Sequence, residues 1–203
     1  MKQLVLLLTS LFVLTAVLCG CTQQQEKNQS YISAAELSQE ETDILKLVGA
    51  QEPILFDFTT FLGKSFSIQT MELENGSWSE PRTYSSSLDE DTFPFHGRIA
   101  IKQDEETGAI LSLAVQGPHG FTHSSPTPDE SAPTYSSHST ALLSSRVEIE
   151  PEKPIALQVY YGYANGQASH TSYIPDYALE HPEEIDSDYA QIVVITFSET
   201  PLS

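Results

Sequence analysis

The only two cysteines of this 203-residue sequence lie one residue apart, at Cys19 and Cys21. They end an apolar stretch over residues 4–18 that follows Met1 and Lys2. A short positive start followed by an apolar stretch of this length is typical of a secretory signal, whereas a spanning helix needs about 20 apolar residues. Because a thiolate is the nucleophile that forms a thioether, the cysteine pair predicts that a group is attached covalently through a cysteine sulfur.

The residues Leu18-Cys19-Gly20-Cys21 resemble the lipobox of bacterial lipoproteins. The resemblance implies that Gly20 is the last residue removed and that Cys21 carries the lipid. Two or more acyl chains hold a protein stably on a bilayer, whereas one chain binds reversibly. We therefore expect attachment to the extracellular face of the cell membrane through Cys21. The alternative is an ordinary secretory signal cut nearby, with Cys21 left as a free thiol or lost.

An acidic stretch near the carboxyl end offers ligands for a cation. Calcium prefers carboxylate and carbonyl oxygens, and a site built from loop carboxylates is the prediction that this stretch allows. The sequence lacks the twelve-residue pattern of the helix-loop-helix calcium motif, so a solvated acidic surface is the favoured alternative. The candidate ligands are Glu183, Glu184, Asp186 and Asp188.

Three histidines could in principle hold zinc. His119 and His123 are four residues apart, and His138 follows. That spacing aligns two ligands only on a helix, and the neighbouring Gly117 and Gly120 disfavour one. We expect these histidines to lie on surface loops.

Two aromatic residues could form an exposed platform that stacks on a sugar ring. Trp78 lies just after a predicted turn, and Tyr160 alternates with its neighbours on a predicted strand. Aromatic rings of this kind can also fill the core, which is the favoured interpretation.

Most motifs of known enzyme classes are absent from the sequence. It contains no Gly-x-Ser-x-Gly, no His-Glu-x-x-His and no glycine-rich phosphate loop. A hydrolase with a pair of carboxylates remains an alternative, because such a pair has no sequence signature. The chain is therefore predicted to have no catalytic activity, and no cofactor besides the candidate calcium ion.

The chain has 9 basic and 28 acidic residues, a net charge of −19. Removal of residues 1–20 takes away Lys2 and no acidic residue. Such a charge repels nucleic acid and anionic headgroups, so we expect no nucleic-acid partner and membrane contact through the lipid alone.

The predicted organisation is a signal over residues 1–20, a lipidated cysteine and flexible tether over 21–32, and one domain over 33–203. Ser38 and Glu41 form a capping box, and Gly49 can end the helix that follows. Ile44, Leu45 and Val48 recur at helical spacing, so we expect them to pack this helix on the domain. Residues 123–140 are rich in Ser, Thr and Pro and predict a mobile loop.

From residue 53 onward the apolar residues recur with period two, which is typical of half-buried strands. Within residues 65–73 the apolar positions shift by one residue, which predicts a bulge near Thr70. Asn-Gly pairs at 75–76 and 165–166 predict two tight hairpins, and a glycine-containing loop at 104–109 predicts a third hairpin. The segment 191–197 is apolar on both faces and predicts a central strand. The predicted strands cover residues 54–61, 65–73, 97–103, 109–115, 142–150, 154–163 and 191–197.

Together these patterns predict an all-β fold, an antiparallel two-sheet sandwich of about eight strands with an immunoglobulin-like outline and one short helix. A partly open barrel is the alternative. A short acidic helix, Asn-Gly hairpins and the closing segment VVITFSE make the domain similar to small uncharacterised lipoproteins of Firmicutes. This resemblance brings no known activity.

The functional hypothesis is a lipid-anchored extracellular binding or accessory module of a bacterial envelope. Its partner would be a protein or glycan at the cell surface, and we expect a monomer. The alternatives are a secreted carbohydrate-active or other hydrolase, and a structural protein that interacts with the envelope.

Overall fold

A computed structural model describes residues 29–50, 52–88, 92–104, 107–125, 134–165 and 173–202. The predicted signal, Gly20 and Cys21 lie outside the described residues. Among the described residues, helix α1 spans Gln39–Leu47 and helix α2 spans Pro175–Glu180, followed by a 3₁₀ turn at Pro182–Glu184. The described strands are β1 Tyr31–Ala35, β2 Ile54–Thr60, β3 Ser65–Glu74, β4 Ser77–Trp78, β5 Arg82–Ser87, β6 Phe95–Gln103, β7 Ile110–Gly117, β8 Gly120–Ser124, β9 Ser137–Leu142, β10 Val147–Glu148, β11 Ile155–Tyr163 and β12 Tyr189–Ser198.

The strands form two antiparallel sheets. The first sheet has the order β10-β1-β2-β6-β7-β8. The second sheet has the order β4-β3-β12-β11-β9, and β5 also pairs with β3. The predicted all-β architecture with two antiparallel sheets is confirmed, whereas the twelve described strands exceed the predicted eight.

The main core lies between the sheets. Strands β2 and β6 contribute Phe56, Phe58, Ile99 and Ile101, which are all buried. The ring of Phe58 lies 5.2 Å from that of Phe197 across the core. Alternation with period two therefore directs the apolar side of each half-buried strand towards the other sheet.

A smaller core covers the outer face of the second sheet. It contains Tyr161 and Ile192 from the sheet and Ala178 from α2, with Trp78 packed against it. This second layer explains why β12 is apolar on both sides, and its central place between β3 and β11 confirms the prediction for 191–197.

The predicted bulge near Thr70 is wrong. Strand β3 pairs with β12 from Ser65 to Glu72 without a register shift. The apolar phase changes because Phe66 faces the main core, whereas Met71 packs on the smaller core. The second sheet has its irregularity in β11 instead, between Ala156 and Gln158.

Other boundaries also differ from the prediction. Strand β1 begins at Tyr31 and Ile32 is buried, so the sandwich starts before residue 33. The strand predicted over 142–150 overlaps only the last residue of β9 and the two residues of β10, and these strands belong to different sheets.

The predicted mobile loop over 123–140 is wrong at both of its ends. Residues 123–124 belong to β8 and residues 137–140 belong to β9. Residues 126–133, in its middle, lie outside the described residues. Polar composition misled the prediction because these two strands are themselves rich in Ser and Thr and largely exposed.

Helix α1 has the predicted capping box, in which Ser38 and Glu41 bond reciprocally. The predicted packing of its apolar side is wrong, because the helix buries no residue and Ile44 is 54% exposed. Local capping and an ion pair from Glu41 to Arg98 hold the helix in place of core contacts.

Two of the three predicted hairpins are confirmed. Asn75 and Gly76 have positive φ between β3 and β4, and Gly108 has φ +74° in the loop between β6 and β7. The hairpin predicted at 165–166 includes Gly166, which lies outside the described residues; the described elements that follow β11 are α2, the 3₁₀ turn and then β12. Among the helices that the structure describes, none has the length and apolar character needed to cross a membrane.

Candidate functional site

The outer face of the first sheet carries a row of polar side chains across its central strands. Asp57 on β2 pairs with Arg98 on β6, which in turn pairs with Gln116 on β7. Thr59 on β2 lies opposite His96 in the same way. Directly opposite residues of antiparallel strands share a face, so strand pairing alone brings these five side chains together.

These side chains line a groove of about 500 Å³. We call it the polar groove. Its side-chain lining on the outer face is Tyr31, Asp57, Thr59, His96, Arg98 and Gln116.

Arg98 is fixed by three hydrogen bonds to two carboxylates. Its Nε donates to Asp57 Oδ1 at 2.6 Å and its Nη2 donates to Asp57 Oδ2 at 2.9 Å. Its Nη1 donates to Glu41 Oε1 at 3.2 Å. The hydrogen bonds to Asp57 raise the pKa of Arg98, so the guanidinium stays charged. Three of its five N–H groups are used in this way, and the planar group is held in one orientation.

A second pair lies beside the first. The Thr59 hydroxyl and His96 Nδ1 share a hydrogen bond of 2.9 Å. Thr59 is buried and His96 is exposed, so the imidazole is oriented from beneath while its outer edge meets solvent.

Aromatic side chains lie on both sides of this polar row. Tyr31 on β1 lies under the Arg146 guanidinium, whose carbon is 3.6 Å from the ring centroid. Phe121 on β8 pairs in register with Gln116 and is 75% exposed. Four strand spacings separate β1 from β8, which corresponds to about 19 Å.

The charges of this face balance locally. Three basic residues, Arg98, Arg146 and Lys102, lie along it with three carboxylates, Asp57, Glu41 and Glu148. The whole chain remains strongly negative, at −19. The polar groove is thus a nearly neutral area on an acidic molecule, and its hydrogen-bonding groups are held in place before any ligand arrives.

A second cleft, of about 270 Å³, opens between edge strands β5 and β8. Its apolar lining includes Phe66, Phe95, Val115 and Phe121. Its polar side chains are those of Ser86, Ser87, His119 and Thr122.

The two aromatic residues predicted to form a sugar-binding platform do not form one. Tyr160 is 1% exposed inside the sandwich. Trp78 is half-buried, and its indole N–H donates to the Ala178 carbonyl at 3.1 Å. Both aromatic side chains therefore make packing contacts within the domain, and Trp78 connects α2 to the second sheet.

The acidic candidates for calcium are only partly brought together. Glu183 and Glu184 have ligand atoms within 4.8 Å of each other and of His181, a group that includes neither Asp186 nor Asp188. Glu184 already accepts a hydrogen bond from the Tyr177 hydroxyl at 2.7 Å. Calcium at this stretch stays a prediction.

Asp188 has a structural role instead. Its Oδ2 accepts a hydrogen bond of 2.7 Å from the Ala164 backbone N–H at the end of β11. This bond ties the segment before β12 to the strand beside it.

The three histidines do not form a ligand group within the described part of the chain. His119 lies in the turn between β7 and β8, His123 bonds to Ser125, and His138 stacks on Tyr160. The expectation that all three lie on loops is wrong for His123 and His138, which are on β8 and β9.

The residues of the polar groove were not singled out in the sequence. The polar side of β2 was visible in its alternation, but Asp57 and Arg98 are 41 residues apart and their pairing depends on strand order. Comparisons with protein-family models, curated proteins and solved structures gave no significant match. By its fold, the chain is an all-β protein with two antiparallel sheets.

Proposed function

We propose that this protein is a lipid-anchored extracellular binding or accessory module of a bacterial cell envelope. In this proposal Cys21 carries the lipid and the polar groove binds the ligand. The domain acts as a monomer with an outline like that of an immunoglobulin sandwich. The proposed location is the outer face of the cell membrane, which is what the lipobox-like residues Leu18-Cys19-Gly20-Cys21 lead us to expect.

The observation that supports a binding function most directly is the fixed orientation of Arg98. Because its guanidinium is already bonded to Asp57 and Glu41, Arg98 loses little conformational freedom when a ligand binds. Preorganised groups of this kind raise affinity by reducing the entropy lost on binding.

A hydrolase is less well supported by the same groove. A glycosidase needs a carboxylic acid with a raised pKa as its proton donor. The pKa of Glu41 is instead lowered, chiefly by the hydrogen bonds from Ser38 and further by Arg98. Asp57 is held by two hydrogen bonds from Arg98, so both carboxylates serve to orient a guanidinium.

Attachment is tested by expressing the full chain in a bacterial host grown on labelled palmitate. We expect the wild type and a Cys19→Ser control to be labelled and to sediment with membranes. A Cys21→Ser variant should be unlabelled and released. An unlabelled wild type, or a Cys21→Ser variant that stays on the membrane equally well, would contradict lipid attachment.

Binding is tested by capture from an envelope extract on immobilised residues 22–203, which retain every described element. We compare the wild type with Arg98→Gln and with Arg82→Gln, a matched loss of charge at an exposed arginine of the second sheet. Material captured by the wild type and by Arg82→Gln but not by Arg98→Gln supports the proposal. Capture that is the same for all three proteins refutes the assignment of the polar groove.

A further inference from the structure

We infer that the polar groove binds a neutral oligosaccharide laid across the strands from Tyr31 to Phe121. This inference rests on the proposed binding function and adds the chemical class of the ligand. It uses none of the aromatic residues that the sequence suggested for a sugar site. Three properties of the face carry it: its mixture of hydrogen-bonding groups, its charge balance and its exposed aromatic side chain.

The polar groove offers donors and acceptors side by side. Arg98 has two N–H groups beyond those bonded to carboxylates, and Gln116 is an exposed amide with both a donor and an acceptor. Asp57 keeps acceptor capacity on both oxygens, since each accepts a single bond from Arg98. A sugar hydroxyl both donates and accepts, so vicinal hydroxyls match this arrangement.

The charge balance disfavours an ionic ligand. Asp57, Glu41 and Glu148 offset Arg98, Arg146 and Lys102, so the face has no local excess charge to attract either sign. An anionic polymer would also meet the repulsion of a chain with net charge −19. A cationic ligand would be drawn more strongly to other parts of this acidic molecule. A neutral ligand can form hydrogen bonds with the fixed groups of the groove without electrostatic repulsion from the rest of the chain.

The aromatic side chains supply the apolar part of the recognition. The C–H groups on the face of a sugar ring pack on an aromatic ring, and Phe121 is 75% exposed at one end of the face. Tyr31, half-buried beneath Arg146, limits the face at the other end. The separation of about 19 Å between the strands that carry them exceeds the length of one sugar ring, so several linked rings are required to reach both ends.

The test uses residues 22–203 in native gels that contain one soluble polysaccharide each. The neutral set is a β-glucan, a galactomannan, an arabinoxylan and glycol chitin, and the charged comparison is polygalacturonate. We expect retardation by at least one neutral glycan and a preference for it over polygalacturonate. Titration calorimetry with that glycan should give a dissociation constant that rises tenfold or more in Phe121→Ala and in Arg98→Gln.

Two controls match these changes away from the face. Arg82→Gln removes an exposed arginine of the second sheet, and Leu62→Ala removes an apolar side chain that is 54% exposed. Both should bind the glycan as the wild type does, and thermal unfolding should show all four variants folded. The inference is overturned if no neutral glycan binds, if polygalacturonate binds better, or if Arg98→Gln and Phe121→Ala bind like the controls.

The result also separates this inference from the proposed function. If no neutral glycan binds while capture from envelope extract still depends on Arg98, the ligand class is wrong and the binding function stands. If that capture is also independent of Arg98, both fail.

Discussion

Two glycines set how closely the aromatic core approaches the backbone under the polar groove. A Cβ at Gly97 would collide with the ring of Phe58, and a Cβ at Gly117 would lie 2.7 Å from Phe95 Cζ. These two rings stack at 5.8 Å between centroids, almost parallel. The glycines let the stacked pair lie directly beneath the strands whose opposite sides carry His96, Arg98 and Gln116.

We expect Gly97→Ala to lower the free energy of unfolding by about 1–3 kcal/mol, because the added methyl overfills a packed site. Urea denaturation followed by circular dichroism measures the change. A Phe58→Leu partner provides the control, since a smaller side chain makes room for the methyl. The double variant should lose less than the sum of the two single losses. Simple additivity would show that the methyl does not meet Phe58.

At the scale of secondary structure, helix α1 is stabilised at its first turn and by little else. It has nine residues, none of them buried, and isolated helices of this length are marginal in water. The Ser38 hydroxyl accepts from the Glu41 N–H, and the Glu41 carboxylate accepts from the Ser38 N–H at 2.8 Å. The same carboxylate group bonds to Arg98, so the cap of α1 and the polar groove share Glu41.

We therefore expect Ser38→Ala to destabilise α1 locally by about 1 kcal/mol, the usual cost of losing a cap. Amide hydrogen exchange should speed up over residues 41–48 while β2 and β6 keep their protection. A Ser33→Ala variant on β1 serves as a control for the loss of a serine hydroxyl. Unchanged exchange in α1, or an equal loss of protection in the sheets, would contradict this account.

The protonation of Glu41 gives the helix a pH dependence with a definite sign. The folded-state pKa of Glu41 is lowered from 4.5, chiefly by its hydrogen bonds with Ser38. Its contribution is therefore present above about pH 4.5 and is lost as the pH falls through the lowered value. We expect hydrogen exchange in α1 to speed up over this acidic range, relative to the intrinsic rates, in the wild type. Glu41→Gln should flatten that dependence, and a variant that kept the full pH dependence would rule out Glu41 as its source.

The limits of sequence-based prediction are visible in particular strands. The alternation in β2, β6 and β12 was enough to predict them, because each buries apolar residues at period two or on both faces. Strands β5, β8 and β9 were missed because serine, threonine and other polar residues dominate edge strands with little to bury. The polar groove depends on the pairing of β2 with β6, and a pairing between distant segments has no local signal.

For the whole molecule, the arrangement of tyrosines predicts how stability changes in alkali. Tyr160, Tyr161 and Tyr189 all have raised pKa values, chiefly because burial disfavours the phenolate. For Tyr160 the pKa rises from 10.0 to about 12. A tyrosine whose pKa is raised by folding stabilises the protein fully below its pKa in the unfolded chain. This stabilisation is lost as the pH rises through its pKa in the folded protein.

We accordingly expect the urea midpoint to be constant up to about pH 10 and to fall between about pH 10 and about pH 12. Tyr160→Phe removes one of the buried hydroxyls and should make that fall shallower. A midpoint that stays constant through this range, or the same slope in the variant, would show that Tyr160 ionises as easily in the folded protein as in the unfolded chain.

The position of β1 has a mechanical consequence for an anchored molecule. Tyr31 is both the first residue of β1 and a wall of the polar groove, and β1 pairs in register with β2 from Tyr31↔Thr59 to Ala35↔Leu55. Tension between a bilayer and a bound polymer would run along β1 and shear its ladder with β2, so the strain would be shared among several hydrogen bonds at once. The second sheet would lie outside that path, and the load would be borne by the first sheet, which carries the proposed ligand-binding groove.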